Sequence, residues 1–247
     1  MTEAEKQYID LYTEASEAIK EHSAEVMNAV RDRAFEDFRR QGFPTRKVER
    51  YKYTDMEKIF APNYGLNINR IEFPVDPYAA FRCDVPNLST LLYFVVNDAF
   101  YTKRLPNVQP EEGVVIGSLR KAAEEHPELI ARYYARIAKT EEDAITALNT
   151  MLAQDGLFIY VPKNVQMEKC VQIINILRAD VSMMVNRRVL IVMEEGAKAK
   201  FLFCDHTADD HDFLATQVIE AYVGDNASLD LYCMEETHYK NHRVSNV

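Results

Sequence analysis

The stretches "VLIVMEEGAKAKFLFC" (Val189–Cys204) and "VIEAYVGDNASLDLYC" (Val218–Cys233) repeat one pattern. Each is an apolar strand, a polar turn with a glycine, and a second strand, and their closing cysteines lie 29 residues apart. A strand–turn–strand unit that returns every ~20–50 residues indicates a solenoid or a sandwich. From Leu157 onward "LFIYVP", "CVQIINIL", "ATQVIEAYV" and "SLDLYCM" are strand-like as well, separated by short polar turns. Nothing helical falls between them, which excludes parallel strands joined by crossover helices. In the last unit Leu229, Leu231 and Cys233 alternate with Asp230 and Tyr232, so the first three are expected to point inward.

Upstream the character is different. Met27, Val30, Ala34, Phe35 and Phe38 recur at helical spacing, which predicts a helix over 3–40 stopped by Gly42 and Pro44. A proline-rich irregular stretch follows, then a strand at "TLLYFVVNDAFY" (Thr90–Tyr101) with a turn at Asn97–Asp98, and a short one at "GVVIGS". Ser118 is a fair N-cap, Pro127 restarts a helix over "PELIARYYARIA", and the capping-box pattern Thr140-x-x-Asp143 opens "DAITALNTMLAQ", closed by Asp155–Gly156. The expected fold class is therefore α+β. An N-terminal helical region occupies 1–60, a mixed strand and helix region 61–156, and an incomplete strand core 157–247.

The totals narrow the function. A net charge of −10 over 247 residues argues against nucleic acid and against anionic membrane surfaces. No apolar run approaches the ~20 residues of a membrane helix. The N-terminus "MTEAEKQYID" lacks the apolar core of a signal peptide, which makes the cytoplasm the expected location. Cys83, Cys170, Cys204 and Cys233 are far apart and read as small buried hydrophobes.

Several clusters invite a chemical reading. "CDHTADDHD" (Cys204–Asp212) gathers ligand types for zinc or iron, including His206 and His211, but in a predicted turn that does not aim them together. His238 and His242 are four apart; on a strand they would sit roughly 13 Å apart, too far for one metal. The stretch Phe203–Tyr239 carries nine Asp or Glu and no Lys or Arg, a charged surface or an interface for a basic partner. Glu194–Glu195 before Gly196 read as a solvated turn. Phosphate-loop, dinucleotide-fold and nucleophile-elbow motifs are absent, so no catalytic, cofactor-binding or metal-binding residue is assigned.

One stretch carries a resemblance. "GFPTRKVERYKYTDM" (Gly42–Met56) resembles the P-T-R-K-x-E-x-W-K-Y-T signature of the SufD branch of the SufB/SufD family, iron–sulfur cluster assembly proteins. Pro44, Thr45, Arg46, Lys47, Glu49, Lys52, Tyr53 and Thr54 match, and Tyr51 replaces the usual Trp. "ALNTMLAQDGLFIYVPKNV" (Ala147–Val165) is similar to the family's helix-to-strand entry, and "RVLIVMEEGAKAKFLFCDH" to a pair of its rungs.

The resemblance implies that the strand core is a right-handed parallel β-helix. It implies a non-catalytic scaffold subunit acting with a SufB-like paralogue and a SufC-like ABC-type ATPase, with no cofactor in this chain and an iron–sulfur cluster at the level of the complex. The family's ATPase-contacting tail and far rungs are expected beyond Val247, so the chain reads as truncated, and none of the family's functional residues is carried over. Such a chain is expected to self-associate through its C-terminal rungs or to fray after about Glu235. Arg46 and Lys47 are expected to pair with helix carboxylates while Tyr51 and Tyr53 pack the helices on the body. The alternatives are a metal-dependent β-helix or cupin-like enzyme using the His206/His211 loop, and a plain protein-binding solenoid.

Overall fold

The computed structural model describes every residue except 81–90, 107 and 109. Thr2 starts α1 (Glu3–Glu21) with a capping box: its hydroxyl accepts from the Glu5 N–H while the Glu5 carboxylate accepts from its own. The single helix expected over 3–40 is in fact three, α1, α2 (Glu25–Asn28) and α3 (Arg31–Gln41). Arg31 supplies a reason for the breaks. It is fully buried, and its Nη1 donates to the carbonyls of Thr150, Met151 and Ala153 at 3.3, 2.8 and 2.9 Å while Nη2 donates to Ser23. Those carbonyls end a later helix and need donors. A straight helix would carry neither Ser23 nor Arg31 to them.

After α3, α4 (Met56–Phe60) and α5 (Pro77–Ala80) are single turns; β1 (Leu91–Val96) and β2 (Ala99–Phe100) form the expected hairpin around Asn97, at φ 57°. Next come β3 (Val115–Ser118), α6 (Leu119–Glu125) capped by Ser118, α7 (Pro127–Tyr133) and α8 (Ala144–Leu152). Two expectations fail here. The helix from Pro127 stops at Tyr133 rather than continuing through Ile137, because the amides of Ala135, Ile137 and Ala138 turn to a buried carboxylate described below. Asp143, not Thr140, is the N-cap of α8; Thr140 instead donates to Asp37 at 2.6 Å.

The strand core alternates between two sheets: β4 (Leu157–Val161), β5 (Val171–Leu177), β6 (Met183–Met193), β7 (Lys198–Thr207), β8 (Phe213–Val223), β9 (Ser228–Glu236) and β10 (His242–Asn246). One sheet has the order β10-β8-β6-β4-β3, the other β2-β1-β5-β7-β9. All pairings among β4 to β10 are parallel, as a β-solenoid requires and hairpins would forbid. The hairpin strand β1 joins as a parallel neighbour of β5, and β3 pairs antiparallel with β4.

The repeat is 30 residues rather than the 29 between the two cysteines: Met183 lies beside Phe213, Val171 beside Phe201 and Lys198 beside Ser228. The flanking pairings differ slightly, with Leu157 beside Val189, 32 residues on, and Leu214 beside His242, 28 residues on. Gly196 (φ 71°) and Asn226 (φ 58°) take the left-handed position in successive coils, and Asn164 (φ 61°) in the one before. Gly and Asn are the residues that tolerate it. At Gly196 a Cβ would meet the Asn164 side-chain oxygen at 2.4 Å, so the turns stack directly.

Val171, Ile173, Phe201, Phe203, Ile191 and Ile219 fill the lumen at one end. Leu177, Met183, Val185 and Phe213 fill it at the other. Leu229 and Leu231 pack against the first cluster, as the alternation predicts. Cys233 does not bury: it aligns with Phe203 in register but is exposed, since it lies on β9, an edge strand. Past Glu235, β9 runs to Glu236 and β10 pairs along β8. Among the described residues no helix is long and apolar enough to cross a membrane.

Candidate functional site

The signature segment comes first. Tyr51 is buried, and its hydroxyl donates to Asp143 Oδ2 at 2.7 Å, with Arg50 also 3.4 Å from that oxygen. The other oxygen, Oδ1, caps α8 through the Thr146 amide at 2.7 Å and accepts from Asn246 on β10 at 2.8 Å. Burial and the Asp143 carboxylate push the Tyr51 phenol far up, so it stays a donor. One carboxylate thus joins the signature, the helix entering the solenoid and β10. Arg46 reaches Asp55, the N-cap of α4, at 3.5 Å. Tyr53 departs from expectation: it is 90% exposed, with Lys52 over its ring. It lies on the surface and holds nothing together there.

Beside this segment, Phe43, Pro44, Arg46, Thr54 and Glu57 line a groove of about 240 Å³ that also receives Thr2 and Glu5. Its polar groups are mostly engaged in capping: Glu5 accepts from Phe43 N and Asp55 from Lys58 N. A structural role accounts for them.

The second arrangement lies between α8 and the sheet of β6 and β8. Arg188 and Glu220 are both fully buried and form an ion pair. Glu220 Oε2 also accepts from Ala135 N at 3.0 Å, and Oε1 from the amides of Ile137 and Ala138 at 3.1 Å each. Arg188 donates to Thr150 Oγ1 at 2.9 Å and lies 4.8 Å from the Tyr134 ring centroid. Asn149 donates across to Thr216 and to the Arg187 carbonyl.

The third arrangement is inside the solenoid. Between the two apolar ends of the lumen lies a polar layer of Asn175, Asp205, Arg187 and Gln217, all buried. Arg187 pairs with Asp205, and its Nε donates to the Asn97 carbonyl at 2.9 Å. Arg243 on β10 reaches the second Asp205 oxygen at 3.1 Å and Glu235 at 3.0 Å. Sequence reasoning missed these residues. Their signal was present in "MMVNRRVLIVM", where two arginines in an apolar strand have to find buried partners.

The cluster Cys204–Asp212 is not one turn. Cys204–Thr207 belong to β7, with Cys204 buried on the face opposite Asp205. Asp209 accepts from the amides of Ala179 and His211. His206 stands 3.7 Å from Glu236, and burial holds its pKa below the usual value. His238 lies 3.4 Å from Asp210 in a turn, outside the strand that begins at His242. The acidic run is likewise divided: Asp205 and Glu220 are interior ion-pair members, and Asp230 pairs with Lys200. Among the described residues no three His, Cys, Asp or Glu side chains converge as a metal site. Burial pushes the thiols of Cys170 and Cys233 up, away from the nucleophilic thiolate; Cys83 lies outside the described residues.

Comparison with known proteins agrees with this geometry. Residues 2–173 match the SufBD protein N-terminal region and residues 175–247 the SufBD core domain of SUF system FeS cluster assembly. The iron–sulfur cluster assembly protein SufD of Bacillus subtilis is 29% identical over 185 residues, 74% of this chain and 41% of the relative. A SufBD family protein of Synechocystis is 32% identical over 124 residues, covering 48% of this chain and 25% of its own length, and a chloroplastic one of Arabidopsis thaliana is 32% identical over 122 residues, covering 48% and 21%. The matched part spans less than half the length of these curated relatives. With both matches running the length of a helical region and a parallel β-solenoid, the chain belongs to the SufBD family of iron–sulfur cluster assembly proteins.

Proposed function

We propose that this chain is a non-catalytic scaffold subunit of a SUF-type assembly machine in the cytoplasm, acting with a SufB-like paralogue and a SufC-like ATPase. The nascent cluster is cargo of the complex, and the ATP-driven work belongs to the partner. The observation that carries this reading is the placement of the thiols. Cys204 and Cys233 stand in neighbouring coils, yet Cys204 registers with Met234 and Cys233 with Phe203, so the two sulfurs point to opposite faces of one sheet. Cluster ligation needs several thiolates around one set of irons. Together with the raised pKa of the Cys170 and Cys233 thiols, this supports a subunit that shapes the complex rather than one that holds a cluster by itself.

The test is isolation of the native protein from its own cells through an affinity tag, with iron, sulfide and phosphate-release measurements. The expected result is co-purification of a SufB-like protein and an ABC-type ATPase, with phosphate release that disappears when the ATPase is removed. A stoichiometric cluster on the separated chain, or phosphate release abolished by a substitution within it, overturns the proposal.

A further inference from the structure

The polar layer in the lumen leaves three buried atoms without a protein partner: Asn175 Nδ2, Arg187 Nη2 and Gln217 Oε1. Asn175 and Arg187 are each 3% exposed, so bulk solvent does not serve them. Both line one small pocket of about 10 Å³, whose walls also include Val95, Leu157, Val189 and Asp98. A polar cavity of roughly 10–15 Å³ on that measure holds one water molecule, and buried waters occur where polar atoms lack partners. Unfilled, two N–H donors would be buried unpaired.

We infer that this cavity is a binding site for a single ordered water, which accepts hydrogen bonds from Asn175 Nδ2 and Arg187 Nη2 inside the solenoid. Charge separates water from a small anion. Arg187 and Arg243 face Asp205, and Arg243 also faces Glu235, so two cations already meet two anions. Asp98, a further carboxylate at the cavity wall, is held by Arg70 at 2.8 Å. The layer is balanced, and the space is that of a water rather than of a larger halide. Asn97 holds the layer in place: its carbonyl accepts from Arg187, and its side chain pairs both ways with the Arg178 backbone, at 2.8 and 2.9 Å.

High-resolution crystallographic density of the native protein tests this, with a parallel crystal grown in bromide. One peak within hydrogen-bond distance of both nitrogens, silent in the bromide anomalous map, is the expected result. An empty cavity overturns the inference, and so does an anomalous peak, which would make the ligand an anion. Asn175→Leu fills the cavity from one side and should abolish the peak. A peak that survives in that variant also overturns the inference, and native density decides alone if the variant does not fold.

Discussion

Arg187 and Arg188 are consecutive on β6, and they build two different kinds of interior. Arg188 turns toward the helices and meets Glu220, a carboxylate that also accepts three backbone amides. Arg187 turns into the lumen and meets Asp205, which accepts side-chain donors from two arginines. Side chains can rearrange or be replaced together. The three amides of 135–138 have given up their helix and have nowhere else to go. A buried carboxylate that holds backbone is therefore harder to lose than one that holds side chains.

The largest break in this comparison is Glu220→Ala. It leaves Arg188 buried without its counter-ion and three amides unpaired, and a loss of about 4–5 kcal/mol is expected. Denaturant titration measures it. Asp205→Ala is expected to cost about 3 kcal/mol, since Arg243 keeps Glu235 while Arg187 is stranded. Replacing both lumen partners, Arg187→Met with Asp205→Leu, should return stability to within about 1 kcal/mol of the native chain. If Asp205→Ala proves costlier than Glu220→Ala, the distinction between backbone and side-chain clients fails.

The next effect is smaller. Tyr51→Phe removes one hydrogen bond to a carboxylate that keeps the Thr146 and Asn246 donors, so about 1.5 kcal/mol is expected by thermal melting. Then comes pH. Burial lowers the folded-state pKa of His206 below its ordinary 6.5, so the unfolded chain binds the proton first as pH falls. Its contribution is fully present above pH 6.5 and is lost as the pH falls below it. Melting curves should show a decline on that side that His206→Gln flattens. Least affected is Tyr53→Ala, within about 0.5 kcal/mol, because the ring is exposed; loss of partner co-purification in that variant would mark Tyr53 as a contact.

Much of the fold was legible because strands and turns announce themselves locally. "LFIYVP" and "CVQIINIL" became β4 and β5, and the Asn97 turn fell where it was read. The period came out one residue short because the eye pairs Cys204 with Cys233, whereas register pairs Cys204 with Met234. The longer helix through Ile137 is what local propensity favours. Only the distant Glu220, more than 80 residues on, pulls those amides away. The candidate site was the least legible. Tyr51 packs the helical region on the body as expected, while Tyr53, two residues later with the same chemistry, is not distinguishable from it in sequence.

Arg31 sets an order of events for a chain made from one end. Its guanidinium closes on carbonyls at positions 150, 151 and 153, some 120 residues later. β1 must likewise wait for β5, 80 residues downstream, whereas β7, β8 and β9 each pair with a strand only 30 residues before. On a ribosome adding about 5–20 residues per second, the helical region stays unfinished for several seconds. Once the first coil is laid, each new coil can settle as it emerges. The slow, exposed phase of this protein's birth belongs to the residues before β5, and the growing end thereafter adds structure at the pace of synthesis.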